Sequence, residues 1–300
     1  MYPRSPIVTL AYSFLIEEDQ NIEDIINPVY KNILDSFSHN YDLIEVLLAI
    51  QCSKSKYKKI ERVCRNITKN DLLNVRFIYA GEKGVSKSRN CCIQNSEANY
   101  IHFLDNDCQF DRSDIYFYLA SLGKSNSFVY FIQSPKVIFK KRFSVSSLFL
   151  KYIPHILLGQ LKYILLSMSL PSYCLIISKR ILDKKNILFD ENLGLGTKLP
   201  QSEELCLLMQ ILKKYSFVPS SSIIMDNFVG ISQSHLPKLS TVYPNISSKG
   251  YILASLFSIF GIVLIPFISI LFYYKMSKSV SLLKSFQATF YGFYIYFKYN

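Results

Sequence analysis

Asp105-Asn106-Asp107 and Glu203-Glu204 are two acidic groupings whose spacing could do chemistry. Carboxylates at i and i+2 of an extended, turning segment can point into one pocket. One can then hold a hard divalent cation while the other reaches a neighbouring hydroxyl or a metal-bound water. Such a cation neutralises charge that develops on a departing phosphate without needing a proton. Taken alone, an Asp-Asn-Asp turn reads first as a solvated surface turn, where Asp and Asn are common. Glu203-Glu204 precedes the apolar stretch Leu205–Leu212, so it opens a helix. There the helix dipole and the aligned amides stabilise negative charge, and one acid can protrude into a cleft as a general base. The plainer alternative is a pair of favourable first-turn charges.

The elements that must position these groups are legible as an alternation of short apolar runs and longer amphipathic stretches. Ile7–Phe14, Leu43–Ile50, Val75–Tyr79 and Tyr100–Leu104 read as strands, and Ile22–Phe37 and Lys56–Ile67 as helices. This is the pattern of βαβ units that build a mainly parallel sheet. Between the third and fourth strands runs Gly84-Val85-Ser86-Lys87-Ser88-Arg89-Asn90, where glycine permits a tight turn and Ser86 is expected to cap a helix reaching about Ala98. The fourth strand stops at Asp105, which puts the carboxylates at the carboxyl end of a buried strand, the edge where open α/β sheets bind ligands.

The segments Gly84–Asn90 and Tyr100–Asp107 together closely resemble glycosyltransferase family 2, whose members carry a Gly-x-Ser-x-Ala-Arg-Asn helix start followed by a strand ending in Asp-x-Asp. A second block, Phe189-Asp190-Glu191-Asn192-Leu193-Gly194-Leu195-Gly196 followed by Ser202-Glu203-Glu204, resembles the family's F-D-E-x-L-G-x-G…G-E-D stretch. The resemblance spans roughly residues 6 to 235. It implies a GT-A fold, a Rossmann-like mixed sheet flanked by helices that binds a nucleotide sugar. It further implies an inverting transfer from a nucleoside diphosphate sugar to an acceptor hydroxyl. Glu204 then falls at the general-base position beside Glu203. Tyr12, Gln51, Lys87, Arg89, Asp105 and Asn106 fall at donor-binding positions. Asp107, with Asp105 and the downstream His235, falls to the metal, Mn²⁺ or Mg²⁺. Two family features differ. Leu10-Ala11-Tyr12-Ser13 replaces Pro-Thr-Tyr-Asn, and Ala49-Ile50-Gln51-Cys52-Ser53 replaces the Asp-Asp-Gly-Ser that contacts the base. The second change leaves open a catalytically inactive scaffold on the same fold. His102, mid-strand, reads as a satisfied core histidine.

Seven cysteines without a C-x-x-C pair indicate neither a disulfide framework nor a structural zinc site, and a reducing compartment follows as the default. Ile7–Ile16 is followed by Glu17-Glu18-Asp19 where a cleavage site should be, so it reads as a buried strand and not a signal peptide. A formal charge of +12 attracts polyanions, including anionic lipid. Lys54, Lys56, Lys58, Lys59, Arg62, Arg65 and Lys69 read as a solvated helix face, because they lack the interleaved aromatics of a nucleic-acid binder. Other basic residues, Lys136, Lys140, Lys141, Arg142, Lys151 and Lys162, flank or punctuate the apolar stretch Ser144–Leu170, which is expected to roof a cleft, touch lipid or pack in the core. Tyr251–Tyr274 has no charge over twenty-four residues, enough to cross ~30 Å of hydrocarbon, although Pro266 and the following Lys275 and Lys278 argue against a simple crossing. A second aromatic segment, Leu282–Tyr299, is expected to return as a helix or lie at the interface. The expected organisation is a catalytic domain over 1–240 and an apolar helical membrane anchor over 241–300. The enzyme would sit at the cell inner membrane facing the cytoplasm, acting on a saccharide or lipid-linked saccharide of a surface polysaccharide, with no nucleic-acid partner. A basic nucleic-acid-binding protein is the remaining alternative, and it gives no reason for the apolar tail.

Overall fold

The computed structural model describes residues 6–17, 20–67, 73–81, 83–124, 127–134, 172–215, 220–230, 247–252, 254, 269 and 282–299. The chain forms two compact units. The first comprises Met1–Phe139, Ser169–Leu188 and Gln210–Ser232, and the second Lys140–Met168, Phe189–Met209 and Gln233–Asn300.

The first unit is built from the aliphatic runs. In chain order its elements are β1 (Val8–Leu15), α1 (Ile22–Phe37), β2 (Ile44–Gln51), α2 (Lys54–Ile67), β3 (Asn74–Tyr79), α3 (Val85–Asn95), β4 (Tyr100–Leu104), β5 (Cys108–Gln109), α4 (Arg112–Lys124), β6 (Val129–Gln133), β7 (Leu175–Ser178), α5 (Lys179–Lys184), β8 (Ser220–Ile224) and β9 (Val229–Gly230). β1 to β4 are parallel, with Val8 level with both Ile44 and Tyr100. β7 runs antiparallel to β4 and β6, and β8 runs parallel to β6. Among the described residues the sheet order is β3-β2-β1-β4-β7-β6-β8, with β5 and β9 forming a small antiparallel pair. The result is a mixed α/β sheet flanked by helices.

Alternation along β1 assigns its two faces. Val8, Leu10, Tyr12 and Phe14 join the core with Ile26, Ile33 and Phe37 of α1 and Tyr118 of α4. Each such side chain contributes roughly 1.5–3 kcal/mol by leaving water. Thr9 and Ser13, on the other face, reach Ser96 and Ser88 respectively. At the amino ends of the strands Glu45 is wholly buried yet fully engaged. It accepts from Thr9 Oγ1 at 2.6 Å and from the Glu97 N–H at 3.0 Å, and it pairs with Arg76. A buried carboxylate persists only when partnered in this way. His102 is also buried, with Nδ1 2.9 Å from the Tyr118 hydroxyl and Nε2 2.8 Å from the Tyr173 carbonyl. A carbonyl can only accept, so Nε2 carries the proton and Nδ1 accepts from Tyr118. Burial lowers this imidazole to about 4, so it is neutral. On α2, Lys54, Lys58, Lys59, Arg62 and Arg65 are exposed and Ile60 and Cys64 buried, the division expected of a solvated face; Lys69 lies outside the described residues.

The helix that starts at Gly84 differs from expectation at both ends. Gly84 itself holds the cap position, while Ser86 lies inside the first turn of α3 and is buried. The helix also ends at Asn95, where Cys92 accepts from the Ser96 N–H.

The second unit contains α6 (Glu203–Lys214) as far as Met209, a helical stretch over 247–252, and α7 (Leu282–Tyr299). The apolar helical anchor expected at the carboxyl end finds no support here. Among the described residues no helix is long and apolar enough to cross a membrane. The physical reason lies in α7, whose eighteen residues include Lys284, Gln287 and Lys298 and several tyrosines. Most of the 251–274 run, the Ser144–Leu170 stretch and His235 lie outside the described residues.

Candidate active site

Two neighbours of β1 set the geometry. β2 follows it on one side through α1, whereas β4, reached after β3 and α3, pairs on the other side. The strand order therefore reverses between β1 and β4, and open α/β sheets bind ligands in the crevice beyond the carboxyl ends at such a reversal. Tyr12 is level with Leu104, so Ser13 and Asp105 emerge side by side at this edge. Gln51 ends β2 beside Leu15.

The start of α3 is fastened to the same edge. Gln51 Oε1 accepts from the Gly84 N–H at 2.5 Å, and its Nε2 donates to Ser88 Oγ at 3.2 Å. Ser88 Oγ in turn lies 2.6 Å from Ser13 Oγ. Gly84 has φ +155°, a conformation open to glycine, so a side chain there would be strained by the backbone and not by its neighbours, the Lys87 side chain lying at ordinary contact distance. The resemblance puts Gln51 at a donor-binding position, and here its carbonyl and one amide hydrogen bind the turn and helix that come after β3. Ser13 and Ser88, which complete this link, escape sequence reasoning; the paired serines of Ser86-Lys87-Ser88 are their only trace.

From α3, Arg89 extends a nearly buried guanidinium (4% exposed) to within 3.6 Å of Asp105 Oδ1, whose side chain is 44% exposed. One carboxylate oxygen is thus oriented from beneath while the group still faces outward. Asn106 is exposed in the turn closed by the Cys108 N–H on the Asp105 carbonyl at 3.1 Å. Asp107 differs from Asp105. Its Oδ1 is buried with no hydrogen-bond partner, and desolvation raises its carboxyl above the ordinary range. An orphaned carboxylate oxygen of this kind is an acceptor that suits a hard divalent cation, and among the described residues no cluster of three or more His, Cys, Asp or Glu side chains stands ready to hold one. Cys108 and Cys174 sit by these carboxylates; burial, with the Asp105 charge second, raises the Cys174 thiol to about 12. Burial raises the Cys108 thiol as well, so both cysteines are inert thiols. Tyr12 is wholly buried in the core, and its hydroxyl has no partner. Lys87 is exposed on the first turn of α3.

The segment after Asp107 is held rigidly. Cys108 pairs with Gly230 and Gln109 with Val229. Asn32 of α1 accepts from the Phe110 N–H at 3.0 Å and donates to its carbonyl at 3.1 Å. Asp114 accepts from the Asn227 N–H at 2.8 Å.

In the second unit, Asp190 organises the Phe189–Leu199 loop. Its Oδ1 accepts from the Asn192 N–H at 3.0 Å, and its Oδ2 accepts from the Tyr251 hydroxyl at 2.8 Å. Ser202 precedes α6 with φ +79°, and Lys249 donates to its hydroxyl. Glu203 is buried and Glu204 half-buried in the first turn.

The backbone as a whole is similar to several solved glycosyltransferases. TarS of S. aureus (residues 1–349) superposes with a TM-score of 0.53 at 13% identity, covering 94% of this chain and 90% of that one. The mannosyltransferase PcManGT from Pyrobaculum calidifontis, solved with GDP-Man and Mn²⁺, gives 0.54 at 9% identity over 99% and 76%. Glucosyl-3-phosphoglycerate synthase from Mycobacterium tuberculosis, with Mn²⁺, UDP and phosphoglyceric acid, gives 0.51 at 13% identity over 85% and 79%. These likenesses establish a GT-A-like fold. No curated protein matches the chain in sequence. The model of the family described as Glycosyl transferase family 2 matches residues 18–184, more than half the chain and the stretch that holds α3, Arg89 and the Asp105–Asp107 turn. The chain belongs to glycosyl transferase family 2.

Proposed function

We propose that this protein is an inverting glycosyltransferase that moves a sugar from a nucleoside diphosphate donor to an acceptor hydroxyl, on a saccharide or lipid-linked saccharide presented at a membrane. The observation that carries the reading is Asp107: a buried carboxylate oxygen without a partner, in the turn that follows β4 at the reversal of the sheet. Asp107, with Asp105, would hold Mn²⁺ or Mg²⁺, which when bound neutralises charge on the departing diphosphate. Arg89 orients Asp105, and Asn106 and Lys87 line the donor's approach. Tyr12 and Gln51 support the donor edge from within the sheet. Glu204, next to Glu203, takes the proton of the acceptor hydroxyl. The acceptor oxygen then bonds to the anomeric carbon as the bond to the diphosphate breaks. His235 joins the metal or phosphate side. That assignment rests on the family resemblance, since His235 lies outside the described residues.

Purified protein with Mn²⁺ and a panel of nucleotide sugars tests this. Donor-dependent thermal stabilisation and donor hydrolysis, both lost in Asp107→Ala, are expected. Neither response to any donor overturns the reading. One observation favours a second reading, an inactive scaffold on the same fold: the end of β2 offers Gln51, already bound to Gly84 and Ser88, where the family carries carboxylates. Metal-dependent donor binding without turnover on any acceptor would favour the scaffold.

A further inference from the structure

α7 presents two faces of opposite character. Ser285, Ala288, Thr289 and Phe293 are buried on one side. There the backbones approach closely: a Cβ on Gly250 would lie 1.8 Å from the Thr289 carbonyl oxygen, and one on Gly292 1.7 Å from the Ser247 carbonyl oxygen. Tyr251 meets Tyr296 edge-on at 5.3 Å, and Ser285 Oγ donates to the Ser269 carbonyl at 3.1 Å. Small residues at a glycine-mediated contact hold the helix in place by this side alone.

The opposite side has no such partner. Leu282, Leu283, Phe286, Phe290, Tyr294 and Phe297 are exposed, Leu283 by 67% and Phe290 by 45%. At roughly 100° per residue they form one apolar arc about 120° wide, rimmed by Gln287, Tyr291 and Lys284. Seven of the twelve large hydrophobic residues exposed among the described residues lie on this one helix. Scattered exposed apolar side chains need no explanation, but a contiguous patch marks an interaction surface. Charge and length select the partner. The helix has a lysine near each end and no acidic residue, within a chain of charge +12, so it complements an anionic surface. It is not apolar enough to span hydrocarbon. Phenylalanine and tyrosine on one face of a cationic helix suit the boundary between headgroups and acyl chains.

We infer that α7 is an interfacial helix: it lies in the plane of an anionic bilayer with its Phe286–Phe290–Phe297 face inserted at headgroup depth, and it does not span the membrane. This rests on the membrane-presented acceptor proposed above and specifies how the enzyme meets that membrane. The chain has no tryptophan, so Phe290→Trp supplies a single, conservative reporter at the middle of the helix. In the full-length protein, vesicles of phosphatidylcholine with anionic phosphatidylglycerol are expected to shift the emission of the introduced indole to the blue. Lipids brominated near the headgroup should quench it more than lipids brominated near the chain end. Pure phosphatidylcholine should bind about tenfold or more weakly, with the anionic binding weakened by salt. The triple variant Phe286→Ser/Phe290→Ser/Tyr294→Ser should lose vesicle flotation while keeping donor-dependent thermal stabilisation. Strongest quenching by the deep label overturns the inference, because it places the middle of a spanning helix at the bilayer centre. So does an unchanged emission in vesicles, or a blue shift without lipid accompanied by a dimeric mass in light scattering, which assigns the face to a second copy. Each outcome is read independently of donor turnover, so its failure is distinct from failure of the proposed activity.

Discussion

Burial raises the Asp107 carboxyl above its ordinary range and leaves Oδ1 without a partner, so the residue pulls stability and activity in opposite directions. The folded carboxyl holds its proton more tightly than the unfolded one. Its contribution to stability is therefore present at acid pH and lost as the pH rises through the raised value. At neutral pH Asp107→Asn should melt higher than wild type without metal, lose its Mn²⁺-dependent stabilisation, and fall about a hundredfold or more in turnover. Differential scanning fluorimetry with and without Mn²⁺, beside a donor-hydrolysis assay, checks all three. His102 has the opposite sign. Its folded value of about 4 lies below the ordinary 6.5, so the unfolded chain takes up the proton first and stability falls as the pH drops from 6.5 to 4. The full loss is about 3 kcal/mol. Urea unfolding at pH 7 and at pH 4.5 should show a smaller difference in His102→Gln than in wild type.

At the scale of elements, the two ends of the parallel strands divide into a stabilising end and a binding end. Glu45→Ala leaves Arg76 without its buried partner at the amino end, and should cost about 3 kcal/mol or more. Donor affinity, measured well below the melting temperature, should not change. Gln51→Ala acts at the carboxyl end, where it strips the Gly84 N–H and Ser88 of partners. It should cost about 1–3 kcal/mol and also weaken the donor-induced thermal shift. This contrast shows what the sequence could and could not disclose. The limits of α1 and β4 were readable because Asn21 caps the one and Asp105 ends the other, and apolar periodicity fills the space between. The Asp105–Asp107 turn was readable for the same reason. The use of Gln51 was not, since its partners lie 33 and 37 residues later and depend on how α3 docks. β7 was equally hidden. Three apolar residues and a serine do not announce antiparallel entry between β4 and β6, which nonlocal pairing decides.

For the molecule as a whole, the seven cysteines are thiols outside any disulfide, six of them buried. Thermal unfolding should be the same with and without dithiothreitol, and a mass shift after alkylation of the native protein should be confined to Cys91. β7 enters the sheet against its neighbours, and that reversal of direction carries a further consequence. The chain leaves β6 after Gln133 and returns at Ser172–Cys174, and both points fall on the edge where β4 delivers Asp105. Whatever is spliced between them begins and ends beside the carboxylates without re-registering a single strand. The architecture thus works as a socket: an excursion of different length or composition can be exchanged there while the Asp105–Asp107 turn and its supporting sheet stay as they are.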